Sequence, residues 1–343
     1  MNKMLVGFVA LCLCSLAALA DTVALKDGHP DTYTVQKGDT LWAISGRFLQ
    51  DPWLWSEIWD VNPEIENPHL IYPGDVIRLV WKDGQPRLTV TRGEGSRTIK
   101  LGPQVRVEPI DTAIPAIPLD KISVWLHRNR IIDISALEQA PYVVSTENAG
   151  IVAGAGSKVY VKGALDETSG RVYGIYRQGD GFRDPETNEP LGVEIDAIAV
   201  GYRQATSDDG ISTLAINESN GEVRIGDQVL SEDKPWESLF MPSRPSEQVT
   251  GTILSVDSGV AQVGIYSMVL INRGEREGLK PGTVLAVYNR GKTIKDIISK
   301  EMVTLPDERA GLMMVVRSFE KASYGIILAA QQSMRVGDVV KNP

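Results

Sequence analysis

The 343-residue sequence carries 35 Lys and Arg residues against 44 Asp and Glu residues, so its formal net charge at pH 7 is −9. No basic cluster stands out, although nucleic acids and anionic membrane surfaces attract proteins through such clusters. The composition therefore predicts neither partner, and the length allows two or three domains.

Residues 1–20 have the pattern of a cleaved signal peptide. A weakly basic head with Lys3 precedes an apolar stretch from Leu5 to Leu19, and the small residues Ala18 and Ala20 end the segment. A membrane-spanning helix needs about 20 apolar residues, more than this stretch provides. We therefore expect a periplasmic protein that begins near Asp21 and does not insert into the membrane.

The next two segments are predicted to be a tether and a small α/β unit. Residues 21–32 are polar and are expected to tether residues 33–80. That unit reads as a strand, a helix with its cap at Asp39 or Thr40, a second helix after Asp51-Pro52, and a closing strand. The first helix has apolar or small residues at helical spacing, namely Leu41, Ile44, Ser45 and Phe48.

The remaining sequence predicts mainly β structure. Residues 81–234 alternate Val, Ile and Tyr runs with turn residues, and Gly179–Pro190 is expected to be a loop. Residues 235–245 contain three prolines and are predicted to form a linker. Residues 246–343 contain seven short strand patterns, which indicates a small barrel or sandwich. The fold class is therefore multidomain, with one α/β domain followed by mainly β domains.

The α/β unit resembles a LysM domain. The stretch Tyr33–Trp42, YTVQKGDTLW, is similar to the opening of that family, and Leu70–Ile77, LIYPGDVI, is similar to its close. The resemblance implies a βααβ fold that binds chains of N-acetylglucosamine, as in peptidoglycan. It also implies a groove between two loops, formed by Gly38, Asp39, Thr40 and Leu41 on one side and Leu70, Ile71 and Tyr72 on the other.

Several of these residues have a second interpretation. Asp39 is equally explained as a helix cap and Leu41 as a core residue. The segment Asp51–Trp59 holds three tryptophans, which either stack on a sugar ring or pack against the next domain.

The tail carries a further resemblance. Four segments are similar to the C-terminal domain of the flagellar assembly protein FlgT, namely Gly274–Val287, Leu305–Gly311, Val316–Gly325 and Val336–Val340. With an N-terminal LysM domain, the whole chain resembles the type IV pilus secretin-associated protein (TsaP) family. This implies an anchor that ties the outer-membrane secretin to the cell wall, with a homo-oligomeric ring as one arrangement. A flagellar basal-body anchor and a general cell-wall stress protein remain alternatives.

A cell-wall hydrolase is the remaining alternative, and the residue inventory disfavours it. Both cysteines lie within the predicted signal peptide, and the three histidines do not have the spacing of zinc ligands. A lytic transglycosylase needs a helical fold around a catalytic glutamate. We therefore predict no enzymatic activity, no cofactor and no metal site.

Overall fold

The computed structural model describes most of the chain outside the predicted signal peptide. The described residues are 23–59, 71–92, 129–147, 150–166, 170–231, 241–256 and 263–343. Among them, no helix is both long enough and apolar enough to cross a bilayer.

The N-terminal unit is a small α/β domain, as predicted. Its elements are β1 (Thr32–Thr34), α1 (Leu41–Phe48), a short 3-10 helix (Pro52–Leu54), α2 (Trp55–Ile58), β2 (Val76–Lys82) and β3 (Gln85–Thr91). Both β1 and β3 pair antiparallel with β2. β3 continues the sheet beyond the predicted closing strand, because Asp83 and Gly84 adopt positive φ angles of 52° and 74° and form a tight hairpin turn.

Helix α1 forms where its cap and its apolar spacing predict it. The Thr40 hydroxyl accepts a hydrogen bond from the Ala43 N–H at 3.1 Å, which satisfies one of the open donors at the helix start. Leu41, Ile44, Ser45 and Phe48 share the buried face.

The lead before β1 lies against this domain over its described part. The Lys26 N–H donates to the Phe48 carbonyl at 2.9 Å, and the Gln50 N–H donates to the Ala24 carbonyl at 3.0 Å. Residues 23–31 of the predicted tether are therefore held on the domain surface.

The middle region is built on a seven-stranded antiparallel sheet of order β10-β7-β5-β12-β8-β9-β4, in which β10 also pairs with β9. A two-stranded ribbon of β6 and β11 and a short helix, α3 (Ile134–Glu138), complete it. The strands are β4 (Asn129–Ile132), β5 (Tyr142–Thr146), β6 (Val152–Ala153), β7 (Lys158–Lys162), β8 (Val172–Arg183), β9 (Pro190–Thr206), β10 (Ile211–Ser219), β11 (Val223–Arg224) and β12 (Gln228–Ser231). The predicted loop at Gly179–Pro190 is wrong at its two ends, because β8 extends to Arg183 and β9 begins at Pro190, while residues 184–189 form the turn between them.

The C-terminal region is a closed six-stranded barrel of order β13-β14-β19-β18-β15-β20. Its strands are β13 (Thr250–Val256), β14 (Met268–Ile271), β15 (Val284–Asn289), β18 (Glu308–Ser318), β19 (Ser323–Ala330) and β20 (Val339–Lys341), and an extra hairpin of β16 (Thr293–Lys295) and β17 (Met302–Thr304) joins β15 to β18. Of the two predicted architectures, barrel or sandwich, the barrel is confirmed.

The barrel is buried on both faces of several strands. Along β15, Leu285 and Val287 belong to the interior cluster, while Val284 and Ala286 belong to a second cluster on the outside. A strand that is apolar on both faces needs a covering layer on each side. On the outside of the barrel, the core of the N-terminal domain is this covering layer, because its residues belong to the same cluster as Val284 and Ala286.

Two tryptophans of the N-terminal domain lie in this shared cluster. Trp53 and Trp55 are 3% and 1% exposed, and the cluster also contains Leu270, Met314 and Ile326 of the barrel. These two side chains therefore follow the packing interpretation rather than the sugar-stacking one.

Residues 241–245, the described end of the predicted linker, contact both the N-terminal domain and the barrel. Ser243 exchanges backbone hydrogen bonds with Gly282 and Val284 of the barrel, at 3.0 and 2.9 Å. On the other side, the Pro242 carbonyl accepts from the Ser56 hydroxyl at 3.1 Å, and the Arg244 guanidinium contacts the Glu57 carboxylate at 3.1 Å.

Candidate functional site

The first loop of the predicted groove is a tight turn held by Asp39. Its carboxylate accepts hydrogen bonds from the Gln36 N–H at 2.8 Å and from the Tyr33 hydroxyl at 2.9 Å. Gly38 in the same turn has a φ of 93°, which favours glycine. Burial and the hydrogen bond to Asp39 raise the pKa of the Tyr33 phenol above its ordinary value. Asp39 therefore shapes the loop, while its neighbour Thr40 caps the helix.

The second loop is described from Ile71 onward and has a similar internal brace. The Asp75 carboxylate accepts from the Tyr72 N–H at 3.0 Å, and Gly74 has a φ of 97°. Asp75 also forms an ion pair with Arg92 at 2.7 Å, and the Arg92 guanidinium lies 5.1 Å from the centre of the Tyr72 ring. This loop is thus fixed by a residue that follows β3.

Val35 joins the two loops directly. Its N–H donates to the Asp75 carbonyl at 2.8 Å, and its carbonyl accepts from the Gly74 N–H at 2.9 Å. The structure therefore brings the two predicted sides together through backbone pairing.

The predicted residues differ in how they reach the surface. Gly38 is exposed, Asp39 and Tyr72 are half-buried, and Thr40, Leu41 and Ile71 are buried. Leu70 lies outside the described residues. The buried side chains support the loops from beneath, so a ligand would meet the backbone of the first loop and the ring of Tyr72.

Sequence reasoning did not find Arg92, which contacts both Tyr72 and Asp75. The Asp83-Gly84 hairpin signal predicts that a strand returns alongside β2, and it would have placed Arg92 near this loop. Within the described ranges, no three His, Cys, Asp or Glu side chains are grouped as metal ligands are.

The arrangement is suited to holding a flexible polar chain. N-acetyl sugars present amides, hydroxyls and a methyl group, and a shallow groove of backbone polar groups beside an aromatic ring can contact all three.

Comparison with known proteins identifies the domain. The LysM domain family matches residues 33–80. The chain is 42% identical over 60 residues to the uncharacterized protein YqbP of Bacillus subtilis, covering 15% of this chain and 27% of that protein. It is 38% identical over 72 residues to the potassium binding protein Kbp of Escherichia coli, covering 20% of this chain and 47% of that protein. The chain thus spans less than half the length of either relative. Residues 33–80 are a LysM domain, and this prediction is confirmed.

Proposed function

We propose that this protein is a non-enzymatic periplasmic anchor that ties the outer-membrane secretin of the type IV pilus to peptidoglycan. The observation that carries the proposal is a LysM domain fixed to a barrel that presents an exposed apolar hairpin. The LysM domain suggests binding to the cell wall, and the exposed hairpin suggests binding to another protein. Many copies around one pore would multiply weak sugar contacts by avidity.

The sugar grip is expected to depend on Tyr72. Replacing Tyr72 with alanine removes the aromatic ring of the second loop and should weaken binding to purified sacculi about fivefold, since such a stacking contact is worth about 1 kcal/mol. Tyr202→Ala is the matched control, because Tyr202 lies 43% exposed on the middle sheet. If the unmodified chain stays in the supernatant when sacculi are pelleted, peptidoglycan binding is wrong.

The exposed apolar hairpin of β16 and β17 is the best candidate for the surface that binds another protein. Ile297 and Ile298, in its turn, are 83% and 93% exposed, and every residue of β16 and β17 is exposed. The turn is ordered, because the Asp296 carboxylate accepts from the Ile298 N–H at 2.8 Å and from the Ser299 hydroxyl at 2.9 Å. An isolated two-stranded hairpin is marginally stable in water, and exposed apolar patches mark interaction sites. The hairpin therefore fits a contact with another protein.

Replacing Ile297 and Ile298 together with serine is expected to reduce capture of the purified, detergent-solubilised secretin at least tenfold, because central apolar anchors dominate protein interfaces. The stability of the chain should not change. The matched control replaces Ile151 and Ile225, which are 86% and 59% exposed on the middle domain.

The intact mature chain is the right reagent for this capture. A cut at residue 81 would remove α1 and α2 and uncover the apolar outer face of the barrel, which would then bind proteins nonspecifically. Equal capture by the hairpin variant and the unmodified chain would remove the hairpin from the proposal. Purified flagellar ring proteins are offered in a parallel assay, and their capture without capture of the secretin would favour the flagellar alternative. Release of soluble fragments from sacculi by the purified protein would overturn the non-enzymatic assignment.

A further inference from the structure

A cleft of about 500 Å³ lies where the LysM domain meets the barrel. One wall comes from the lead and the end of α1, with Lys26, Gln50 and Asp51, and the other comes from β18 and the end of β19, with Arg309 and Gln331. The cleft is absent from either domain alone, since each supplies only one wall.

The polar groups of this cleft match a short peptide with charged ends. They comprise two cations, one carboxylate and two side-chain amides, above a floor that includes the buried Leu49 and Leu312. Arg309 and Asp51 are 3.7 Å apart and about two-fifths exposed. Such a pair contributes little to stability, so Arg309 can exchange Asp51 for a ligand carboxylate at low cost.

Helix α1 connects the groove to the cleft. Thr40, at its start, belongs to the first groove loop, and Gly46, near its end, lines the cleft. The eight residues of α1 span about 12 Å at 1.5 Å per residue. An extended peptide of four residues reaches about 13 Å. A peptide attached to a glycan in the groove is therefore long enough to enter the cleft.

We propose that this cleft binds the peptide stem of peptidoglycan while the LysM groove holds the glycan. The stem is a short peptide with carboxylates and an amine, joined to every second sugar of the chain. Arg309 receives a stem carboxylate, and Asp51 and the two amides contact its remaining polar groups. The inference rests on the proposed function, and it gives the barrel a direct part in recognising the cell wall.

The test compares two ligands on the full mature chain. One is a purified peptidoglycan fragment of defined length with its stems, and the other is the same glycan after an amidase has removed the stems. We expect the stem-bearing fragment to bind about tenfold more tightly by calorimetry. Arg309→Gln should remove this advantage and leave the affinity for the bare glycan unchanged. Arg309→Lys should restore part of it, and Arg335→Gln, at an exposed barrel arginine outside the cleft, should have no effect.

The outcomes separate this inference from the proposed function. If both ligands bind the unmodified chain equally, the stem site is wrong although glycan binding stands. A loss of affinity for both ligands in Arg309→Gln would also overturn it, because the residue would then act through the LysM fold. If neither ligand binds and sacculi do not sediment the chain, the proposed function itself fails.

Discussion

Replacing Trp55 with alanine is expected to lower the free energy of unfolding by about 3–5 kcal/mol, the usual cost of truncating a large buried side chain. Trp55 is 1% exposed and packs edge-on against Trp59, with ring centres 5.8 Å apart. Its cluster continues from the LysM domain onto the outer face of the barrel. The cavity left by the substitution therefore weakens both the domain and its attachment.

Unfolding in urea, followed by circular dichroism, measures this effect. Trp81→Ala is the matched control, because Trp81 is 64% exposed at the end of β2 and its loss should change stability by less than about 0.5 kcal/mol. Since the LysM domain and the barrel share one cluster, the unmodified chain should unfold them in a single transition, whereas Trp55→Ala should separate it into two. Equal stability of the two variants would show that the shared cluster does not hold the domains together.

The LysM domain could be predicted from sequence because its signals are local. A capping hydroxyl at Thr40, a buried face at Leu41, Ile44 and Phe48, and glycine turns at Gly38 and Gly74 all act within a few residues. The exposure of each groove residue is a tertiary property, and the motif does not contain it. The sequence match therefore identified the two loops, while the burial of Ile71 appeared only in the structure and the burial of Leu41 decided between its two interpretations.

The extent of β8 and β9 could not be predicted for a related reason. Gly179 and Gly181 lie in β8 and usually indicate a loop, yet the pairing tolerates them through a register shift between Gln178 and Gly181. Pairing with β9 stabilises this stretch, and that energy is not visible in the local sequence.

The sequence of the barrel indicates which strands are buried but not what covers them. The continuous apolar run in β18, Leu312–Val316, indicates a strand that is buried on both faces. It does not identify the covering layer, because any apolar surface in the chain would satisfy it. In the structure, the covering layer includes the tryptophan-rich segment of the LysM domain.

The second large effect is expected at Asp184, which locks the middle domain to the barrel. Asp184 lies in the turn between β8 and β9 with its side chain 3% exposed, and it forms an ion pair with Arg273 at 3.2 Å. Its carboxylate also accepts from the Asn272 amide at 2.7 Å and from the N–H groups of Glu186 and Thr187, both at 2.9 Å. Asp184→Ala leaves these donors without their acceptor and is expected to cost about 3–5 kcal/mol.

Urea unfolding again gives the measurement, with Asp208→Ala in the exposed turn between β9 and β10 as the matched control. A double-mutant cycle with Arg273→Ala isolates the contact between the two domains. If the two substitutions act additively, the pair does not couple the domains, and Asp184 only shapes its own turn.

The contacts of Asp184 with Asn272 and Arg273 should also weaken in acid, and the direction follows from the pKa of Asp184. Burial alone would raise this pKa, but the hydrogen bonds from Thr187, Glu186, Asn272 and Arg273 together outweigh it and hold the pKa well below its ordinary value of 3.8. The folded chain therefore favours the ionised carboxyl more than the unfolded chain does. The stabilisation of the fold by this carboxylate is complete well above pH 3.8 and is lost as the pH falls towards the folded pKa.

The stability difference between the unmodified chain and Asp184→Ala should therefore be about 1 kcal/mol smaller at pH 3 than at pH 7. A difference that stays constant between these pH values would mean that the ionised carboxylate is not what joins the two domains.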